Sequence, residues 1–212
     1  MSKLYVPLDT ETGSIDPKTG DLLTIYICVA DENFKILDEL DLKLKPDDGR
    51  LPIAEAGALK VNGIDIQKHL IDPTTITYSD AKEQITSMLK KHLKKNGRYS
   101  NLIPLGHNIP FDLNFIYQHL MPKSEWEKYC HYRTVDTNPL VWMFKDSQWW
   151  PNDLPGLGSV VDFLGIPQRN AHTAKDDVLM TIDLYKKMLE IMKSKKENGG
   201  NSQDLIALLE AE

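Results

Sequence analysis

Four acidic residues and one histidine stand where predicted strands and helices begin or end. Asp9 and Glu11 lie two residues apart at the end of an apolar run, so in a strand both side chains emerge on the same face. A buried strand has little reason to hold two like charges together unless a cation lies between them. The ordinary alternative is a strand that runs out into a polar turn, and this pair alone does not decide between the two.

Asp112 lies in residues 106–112, a segment that reads as a strand leading into a helix. The helix dipole favours an acid in a first helical turn. For Asp112 taken alone, this structural role is the better interpretation.

Two more acids open the last long helix. Thr173 and Asp176 have the spacing of a capping box, which gives Asp176 a structural role. Asp177 comes one residue later, where no cap needs it, on a face that is largely apolar. An acid there needs a metal ion or a partner. His172 precedes the helix on a segment that can place its imidazole over the same site.

Together, these residues are what two-metal hydrolysis of a phosphodiester needs. Two divalent ions about 4 Å apart stabilise the attacking and leaving oxygens, and carboxylate ligands suit Mg²⁺ or Mn²⁺. A histidine can accept the proton of the attacking water near neutral pH. The predicted cofactors are therefore two divalent cations, Mg²⁺ or Mn²⁺.

The elements that must position these residues predict an α/β protein with a mixed sheet. Apolar or alternating runs predict strands over residues 4–8, 22–30 and 40–44, an antiparallel meander of three strands. Pro7 predicts a local irregularity just before Asp9. Further strands then alternate with helices, which is the coarse architecture of the ribonuclease H-like fold.

Turn and cap residues mark the helices. A helix over residues 53–61 should end at Asn62-Gly63, and Ser79 should cap the next one, whose inward stripe would include His92. A strand over residues 102–107 should lead into a helix with Pro110 in its first turn. Asn138 predicts another cap. The last long helix should begin near Ala174, with an inward stripe of Val178, Ile182, Tyr185, Leu189 and Met192.

The order of the motifs resembles the DEDDh (DnaQ-like) 3′→5′ exonuclease family. Residues Asp9-Thr10-Glu11 resemble the first motif of that family, residues 107–112 the second, and His172 with Asp177 the third. The family's histidine-to-aspartate separation favours Asp177 over Asp176. The similarity spans residues 4–192 and includes two supporting segments, 58–64 and 135–137.

The resemblance implies a ribonuclease H-like fold and the release of nucleoside monophosphates from the 3′ end of a single strand. It implies that Asp9, Glu11 and Asp177 hold the catalytic metal ion, that Asp9 and Asp112 hold the second, and that His172 is the general base. The substrate contacts that it implies are Thr12, Gly13, Asn108 and Phe111. Unlike many members, this chain has no second threonine before the glycine of the first motif.

Single-stranded DNA is the expected substrate, because the Asp-Thr-Glu-Thr start is more like that of the DNA enzymes. Two alternatives stay open. One is an RNA-trimming 3′→5′ exoribonuclease of the same family. The other is a non-cutting accessory subunit of replication or repair that binds strand ends, although pure binding does not need the full set of catalytic residues.

Three further features have an ordinary and a functional interpretation. Asp136 is interpreted as a structural acid beside the Asn138 cap rather than as a metal ligand, and His107 as a hydrogen-bonded histidine at a strand end. Trp149 and Trp150 are interpreted as a partly exposed edge of the core rather than as a surface on which bases stack.

Composition limits the class of protein. The chain has 212 residues and a net charge of −6, which argues against wrapping long stretches of duplex but permits an enzyme that holds one strand end. It contains neither an apolar run long enough to span a bilayer nor the pattern of a signal peptide. Cys28 and Cys130 are interpreted as buried free thiols. A cytoplasmic location is expected.

The predicted domain organisation is an exonuclease domain over residues 1–197, then a linker and a short amphipathic segment over 198–212. The segment carries leucines at helical spacing but is too short to be a stable helix alone. Packing on its own domain or on a second copy is the preferred interpretation. The alternative is a docking peptide for a polymerase or a sliding clamp.

Overall fold

The computed structural model describes residues 3–97, 99–167, 169 and 173–197, with the backbone alone for 195–197. Its strands are β1 (Leu4–Thr12), β2 (Leu22–Ala30), β3 (Ile36–Lys45), β4 (Thr75–Thr77), β5 (Lys95–Asn96), β6 (Tyr99–Ser100), β7 (Leu102–Gly106) and β8 (Val135–Asp136). Its helices are α1 (Ala56–Asn62), α2 (Ile66–Ile71), α3 (Tyr78–His92), α4 (Ile109–His119), α5 (Lys123–Trp126), α6 (Thr137–Asp146), α7 (Leu157–Phe163) and α8 (Ala174–Glu197). The predicted segment over 198–212 lies outside the described residues.

A six-stranded sheet with the order β4-β3-β2-β1-β7-β8 forms the centre of the protein. Strands β1, β2 and β3 pair antiparallel, whereas β4, β7 and β8 each join the sheet in parallel. The predicted meander followed by alternating helices and strands is therefore confirmed, and with it the ribonuclease H-like fold class. The short strands β5 and β6 form a separate hairpin.

The irregularity of β1 lies after the two acids and not before them. The register with β2 is the same on both sides of Pro7, where Tyr5 pairs with Ala30 and Leu8 with Ile27. It shifts instead between Glu11 and Thr12. Because β1 lies between β2 and β7, ladders on both sides hold the strand in place despite the missing donor of the proline. The expectation of an irregularity just before Asp9 was wrong.

Helices cover both faces of the sheet. Helices α3 and α4 pack on the face that carries Val6 and Leu8, while α8 packs on the face that carries Tyr5, Tyr26 and Cys28. Helices α6 and α7 pack against α8 in a third apolar cluster. Since side chains alternate along a strand, odd-numbered residues of β1 face α8 and even-numbered residues face α4. This alternation decides the direction from which each site residue approaches.

Several helix ends lie where the sequence predicts them. Gly63, with φ of 68°, ends α1 as expected. Helix α4 has its proline in the first turn, and α8 begins at Ala174. Helix α1 begins later than predicted, at Ala56, because the preceding backbone is bound elsewhere: the Glu55 N–H donates to the Gly13 carbonyl at 2.7 Å.

Other local expectations were wrong. The cap of α3 is Thr77, whose hydroxyl accepts from the Asp80 N–H at 3.2 Å, while the Ser79 hydroxyl donates to Asp47 at 2.9 Å. The cap of α6 is Asp136 rather than Asn138. One helix face was misjudged, because Met192 is 50% exposed rather than buried. His92 does lie on the inward side of α3, where it is half-buried and bonds Asp38 on β3. The Ser79 correction reflects a partner 32 residues away that the sequence did not reveal.

The remaining general expectations concern the cysteines, the tryptophans and membranes. Cys28 and Cys130 are both buried and free, as predicted. Trp150 is buried and stacks on Phe144 at 4.3 Å, whereas Trp149 is 46% exposed, so this pair does form an edge of the core. In the part of the chain that the structure describes, none of the helices has the length and apolar character of a membrane span.

Candidate active site

Three of the predicted acids meet at the end of β1. Asp9 and Glu11 emerge on the face covered by α8, and Asp177 reaches them from the first turn of that helix. One carboxylate oxygen from each of the three lies within 4.8 Å of the others. This spacing is suitable for a shared cation, and the three residue types offer hard oxygen ligands of the kind that Mg²⁺ or Mn²⁺ prefers.

Asp112 joins the group from the opposite face of the sheet. It is only 3% exposed, and its Oδ1 accepts a hydrogen bond of 2.7 Å from the hydroxyl of Thr10, the residue between the two acids of β1. Asp112 therefore has a fixed side-chain partner. The role of Thr10 was not predicted, since its neighbour on α4 is 102 residues away.

A tight turn places α4 so that Asp112 reaches β1. A Cβ atom at Gly106 would lie 2.9 Å from the Cβ of Ile109, so this close approach requires glycine. Asn108 follows with φ of 62° and donates its N–H to Asp136 at 2.8 Å. Asp136 also accepts from the Asn138 N–H at 3.0 Å, so its contacts are structural, as the sequence indicated.

His107 also has an ordinary partner, because its Nδ1 lies 2.9 Å from the Thr137 hydroxyl. Burial lowers the pKa of His107 from its usual value. The histidine at the end of β7 is thus a hydrogen-bonded side chain, as predicted.

Burial and neighbouring carboxylates raise the pKa of Asp9 and Glu11. The pKa of Asp9 is raised well above its usual value, first by burial and then by the charges of Asp112, Asp177 and Glu11. Burial, with Asp177 and Asp112, raises the pKa of Glu11 to about 7. Burial also raises the pKa of Asp112 to about 7, against the effect of the Thr10 hydrogen bond. Bound divalent cations would relieve this repulsion, so the residues present fit a metal site.

The neighbours Asp176 and Asp177 have separate surroundings. Asp176 bonds the Thr173 side chain at the start of α8: the Asp176 N–H donates to the Thr173 hydroxyl at 3.3 Å, and that hydroxyl donates to the Asp176 carboxylate at 3.0 Å. Asp177 turns instead towards Asp9 and Glu11. His172 lies outside the described residues, so its role stays a prediction.

The loop after Glu11 is held from several sides. A Cβ atom at Gly13 would lie 2.1 Å from the carbonyl oxygen of Ile53, so the two backbones touch directly. Thr12 is buried and donates its hydroxyl to the Ser14 carbonyl at 2.8 Å, while the side chain of Asn62 donates to the Thr12 carbonyl at 3.1 Å. The predicted substrate contacts Thr12 and Gly13 therefore lie in a rigid loop.

The two other predicted substrate contacts lie at the beginning of α4. Asn108 is exposed in the turn, and Phe111 is half-buried, with its ring 5.1 Å from that of Phe115. Both are near Asp112 in the chain and can be reached from the surface.

Asp21 is a buried acid that the sequence did not indicate. Its side chain is 2% exposed and accepts from Arg50 at 2.8 Å, from the Ile53 N–H at 2.6 Å and from the Tyr78 hydroxyl at 3.3 Å. The Asp21 carbonyl in turn accepts from the Gly13 N–H at 2.7 Å. Asp21 thus joins the loop after Glu11 to residues 50–53. The hydrogen-bond partners of its side chain lie 29 to 57 residues away, so no local pattern reveals them.

The Asp21–Arg50 pair makes a testable contribution to stability. Burial alone would raise the pKa of Asp21, but hydrogen bonds from Arg50 and the Ile53 N–H outweigh burial and hold it below its usual value. A lowered pKa stabilises the folded state above the unfolded-state value of about 3.9, and this contribution is lost as the pH falls through the folded-state pKa. Arg50→Met should reduce the free energy of unfolding by about 1–3 kcal/mol at neutral pH, with a smaller difference in acid.

Urea unfolding at neutral pH and below pH 4 measures both effects. The control is Lys43→Met, which breaks the more exposed pair with Asp72 and should change stability much less. An Arg50→Met effect no larger than that of the control would contradict a stabilising role for the buried pair.

Comparisons with known proteins find similarity to nucleases in sequence and in fold. No protein-family model matches the chain. An oligoribonuclease of Streptomyces griseus is 26% identical over 155 residues, a match that covers 71% of each chain. Exonuclease I of E. coli in a zinc-bound complex with single-stranded DNA superposes with a TM-score of 0.71 at 21% identity, covering 98% of this chain and 45% of that one.

The exonuclease I complex with SSB-Ct superposes with a TM-score of 0.68, also at 21% identity, and covers 98% of this chain. The chain spans about half the length of these solved structures, 45% and 46% of theirs. At such identities the superposition establishes the fold, while the oligoribonuclease match adds relatedness in sequence. The motifs of the sequence and these two comparisons together support a 3′→5′ exonuclease of the DEDDh type. The four acids of the three motifs lie near one another at one place in the fold.

Proposed function

We propose that this protein is a DEDDh 3′→5′ exonuclease. It would hydrolyse the 3′-terminal phosphodiester of single-stranded DNA, release nucleoside monophosphates and depend on two divalent cations, Mg²⁺ or Mn²⁺. The observation that supports this most directly is the group of Asp9, Glu11 and Asp177 oxygens within 4.8 Å of one another. The raised pKa of Asp9 and Glu11 supports it as well, because the group is costly without a bound cation.

Each residue has a role in the proposed reaction. Asp9, Glu11 and Asp177 would hold one ion, and Asp9 with Asp112 the other. When bound, two such ions stabilise the charge that develops on the attacking and leaving oxygens. His172 would accept the proton of the attacking water. The rigid loop at Gly13 would support the terminal nucleotide, and holding that loop in advance avoids an ordering cost when the strand binds.

The proposed substrate is DNA, and the alternative is RNA, which differs in its sugar. The Asp-Thr-Glu-Thr start favours DNA. RNA is the second candidate, because the relative from S. griseus is named an oligoribonuclease. Proteins distinguish the two sugars through the 2′-hydroxyl, so matched strands of one sequence are the right comparison.

Labelled oligonucleotides test the activity and the choice of sugar together. In Mg²⁺ or Mn²⁺, a 5′-labelled DNA strand should shorten as a ladder and a 3′-labelled strand should release its label first as a mononucleotide. DNA should be degraded faster than RNA in the same buffer. RNA decay that equals or exceeds DNA decay would favour the exoribonuclease, and cuts in a circular strand would contradict exonuclease action. Tight binding without any product would favour the non-cutting accessory subunit.

The partners proposed for the chain are the 3′ ends of single strands. Docking to a polymerase or a sliding clamp depends on residues 198–212 and stays a prediction.

A further inference from the structure

The first turn of α8 has a polar attachment to the sheet beside the carboxylates. Lys175 lies two residues before Asp177, and its Nζ lies 3.3 Å from Oε1 of Glu39 on β3. The same ammonium group lies 5.2 Å from the centre of the Tyr26 ring. Lys175 therefore contacts two strands of the sheet from the turn that carries Asp177.

Tyr26 connects this attachment to the first motif. It is fully buried and pairs directly with Asp9 in the β1–β2 ladder. Its hydroxyl donates to Oε2 of Glu39, so one carboxylate accepts from both Tyr26 and Lys175. The hydrogen bond from Tyr26, and then Lys175, holds the pKa of Glu39 below its usual value, while burial and Glu39 raise that of Tyr26. Glu39 thus remains an anion and Tyr26 a donor.

We propose that Tyr26, Glu39 and Lys175 form a clamp that positions Asp177 against Asp9 and Glu11 for metal binding. The inference rests on the proposed metal site. The rest of α8 packs on the sheet through apolar side chains such as Val178 and Ile182, and apolar contacts are not directional. The clamp adds directional contacts at the turn where a small shift of Asp177 would change the spacing of the three oxygens.

The solvent exposure of Lys175 and Glu39 distinguishes a role in positioning Asp177 from a role in overall stability. The side chains of Lys175 and Glu39 are 40% and 45% exposed, and ion pairs this exposed add little to folding stability. Loss of the clamp should therefore weaken metal binding much more than it lowers the unfolding temperature. Tyr26, Glu39 and Lys175 are positioning residues, since none of them is proposed to touch the metal or the strand.

The chain offers a matched control on the other face of the sheet. Asp38 precedes Glu39 on β3, so its side chain faces α3. There Lys91 donates to it at 2.8 Å, which is also a strand-to-helix ion pair. Lys91→Met removes this pair and leaves the face of α8 unchanged.

Calorimetric titration of the full chain with Mn²⁺ tests the clamp. Tyr26→Phe and Lys175→Met should each raise the dissociation constant about tenfold, the lower end of the range for residues that orient metal ligands. The double variant should be little worse than either single one, because both changes break one network. Lys175→Arg should retain most of the affinity for Mn²⁺, and Lys91→Met should leave that affinity unchanged. The unfolding temperatures of all the variants without metal should stay close together.

Titration of Asp177→Asn with Mn²⁺ distinguishes a failure of the clamp proposal from a failure of the proposed metal site. If Asp177→Asn weakens Mn²⁺ binding while Tyr26→Phe and Lys175→Met do not, the clamp is refuted and the metal site stands. If Asp177→Asn binds Mn²⁺ as tightly as the unchanged protein, the proposed metal site itself fails. Equal losses of affinity in Lys175→Met and Lys91→Met would also refute the clamp, because helix docking in general would then explain them.

Discussion

Asp177→Asn should reduce kcat/KM for oligonucleotide hydrolysis on the order of 10³-fold, whereas Asp176→Asn should leave most of the activity intact. The carboxylate of Asp177 lies with those of Asp9 and Glu11, so its loss removes a metal ligand at the reacting phosphate. Asp176 is bound to the Thr173 hydroxyl, and weakening this cap costs about 1 kcal/mol of stability or less. The two substitutions change the same atoms at adjacent positions, so each controls for the other.

Steady-state rates and urea unfolding of the two variants measure this contrast. Asp177 raises the pKa of both Asp9 and Glu11, so its neutralisation should relieve repulsion. The Asp177→Asn protein should therefore lose activity while it remains folded. An inactive Asp176→Asn with an active Asp177→Asn would show that the register of the third motif is wrong. Two active variants would show that neither acid is a metal ligand.

Removal of divalent cations should have the second large effect, a complete loss of hydrolysis in excess EDTA that Mg²⁺ or Mn²⁺ reverses. The same cations should stabilise the folded protein, because a ligand that binds only the folded state contributes about 2.7 kcal/mol at a hundred times its dissociation constant. The physical reason is the concentration of partly buried carboxylates at the end of β1, where burial and then the charges of three acids raise the pKa of Asp9.

Thermal unfolding with increasing Mn²⁺ measures this stabilisation independently of activity. Asp9→Asn is the matched variant, since Asp9 is proposed to contact both ions. Its unfolding temperature should respond little to Mn²⁺. Undiminished cleavage in EDTA would overturn the metal assignment, and an unchanged response of Asp9→Asn to Mn²⁺ would place the ions elsewhere.

Much of the site was predictable because its geometry is local. Side chains two residues apart in a strand share a face, so Asp9 and Glu11 had to emerge together once residues 4–12 formed β1. The contact between Thr173 and Asp176 depends only on the helical backbone around it, and it left Asp177 available for another role. The order of strands and helices also followed from the periodicity of apolar residues.

The tertiary structure alone decided which distant groups became neighbours. Asp112 meets Thr10 from the opposite face of the sheet, Asp21 meets Arg50, and Lys175 meets Glu39 across 136 residues. A tertiary contact also engages Ser79, the residue expected to cap α3, because its hydroxyl bonds Asp47, 32 residues away. Local backbone geometry determines which residues of one strand or helix share a face, and the sequence predicts it. Contacts between distant residues depend instead on which strands and helices pack together. A short stretch of sequence does not determine that packing.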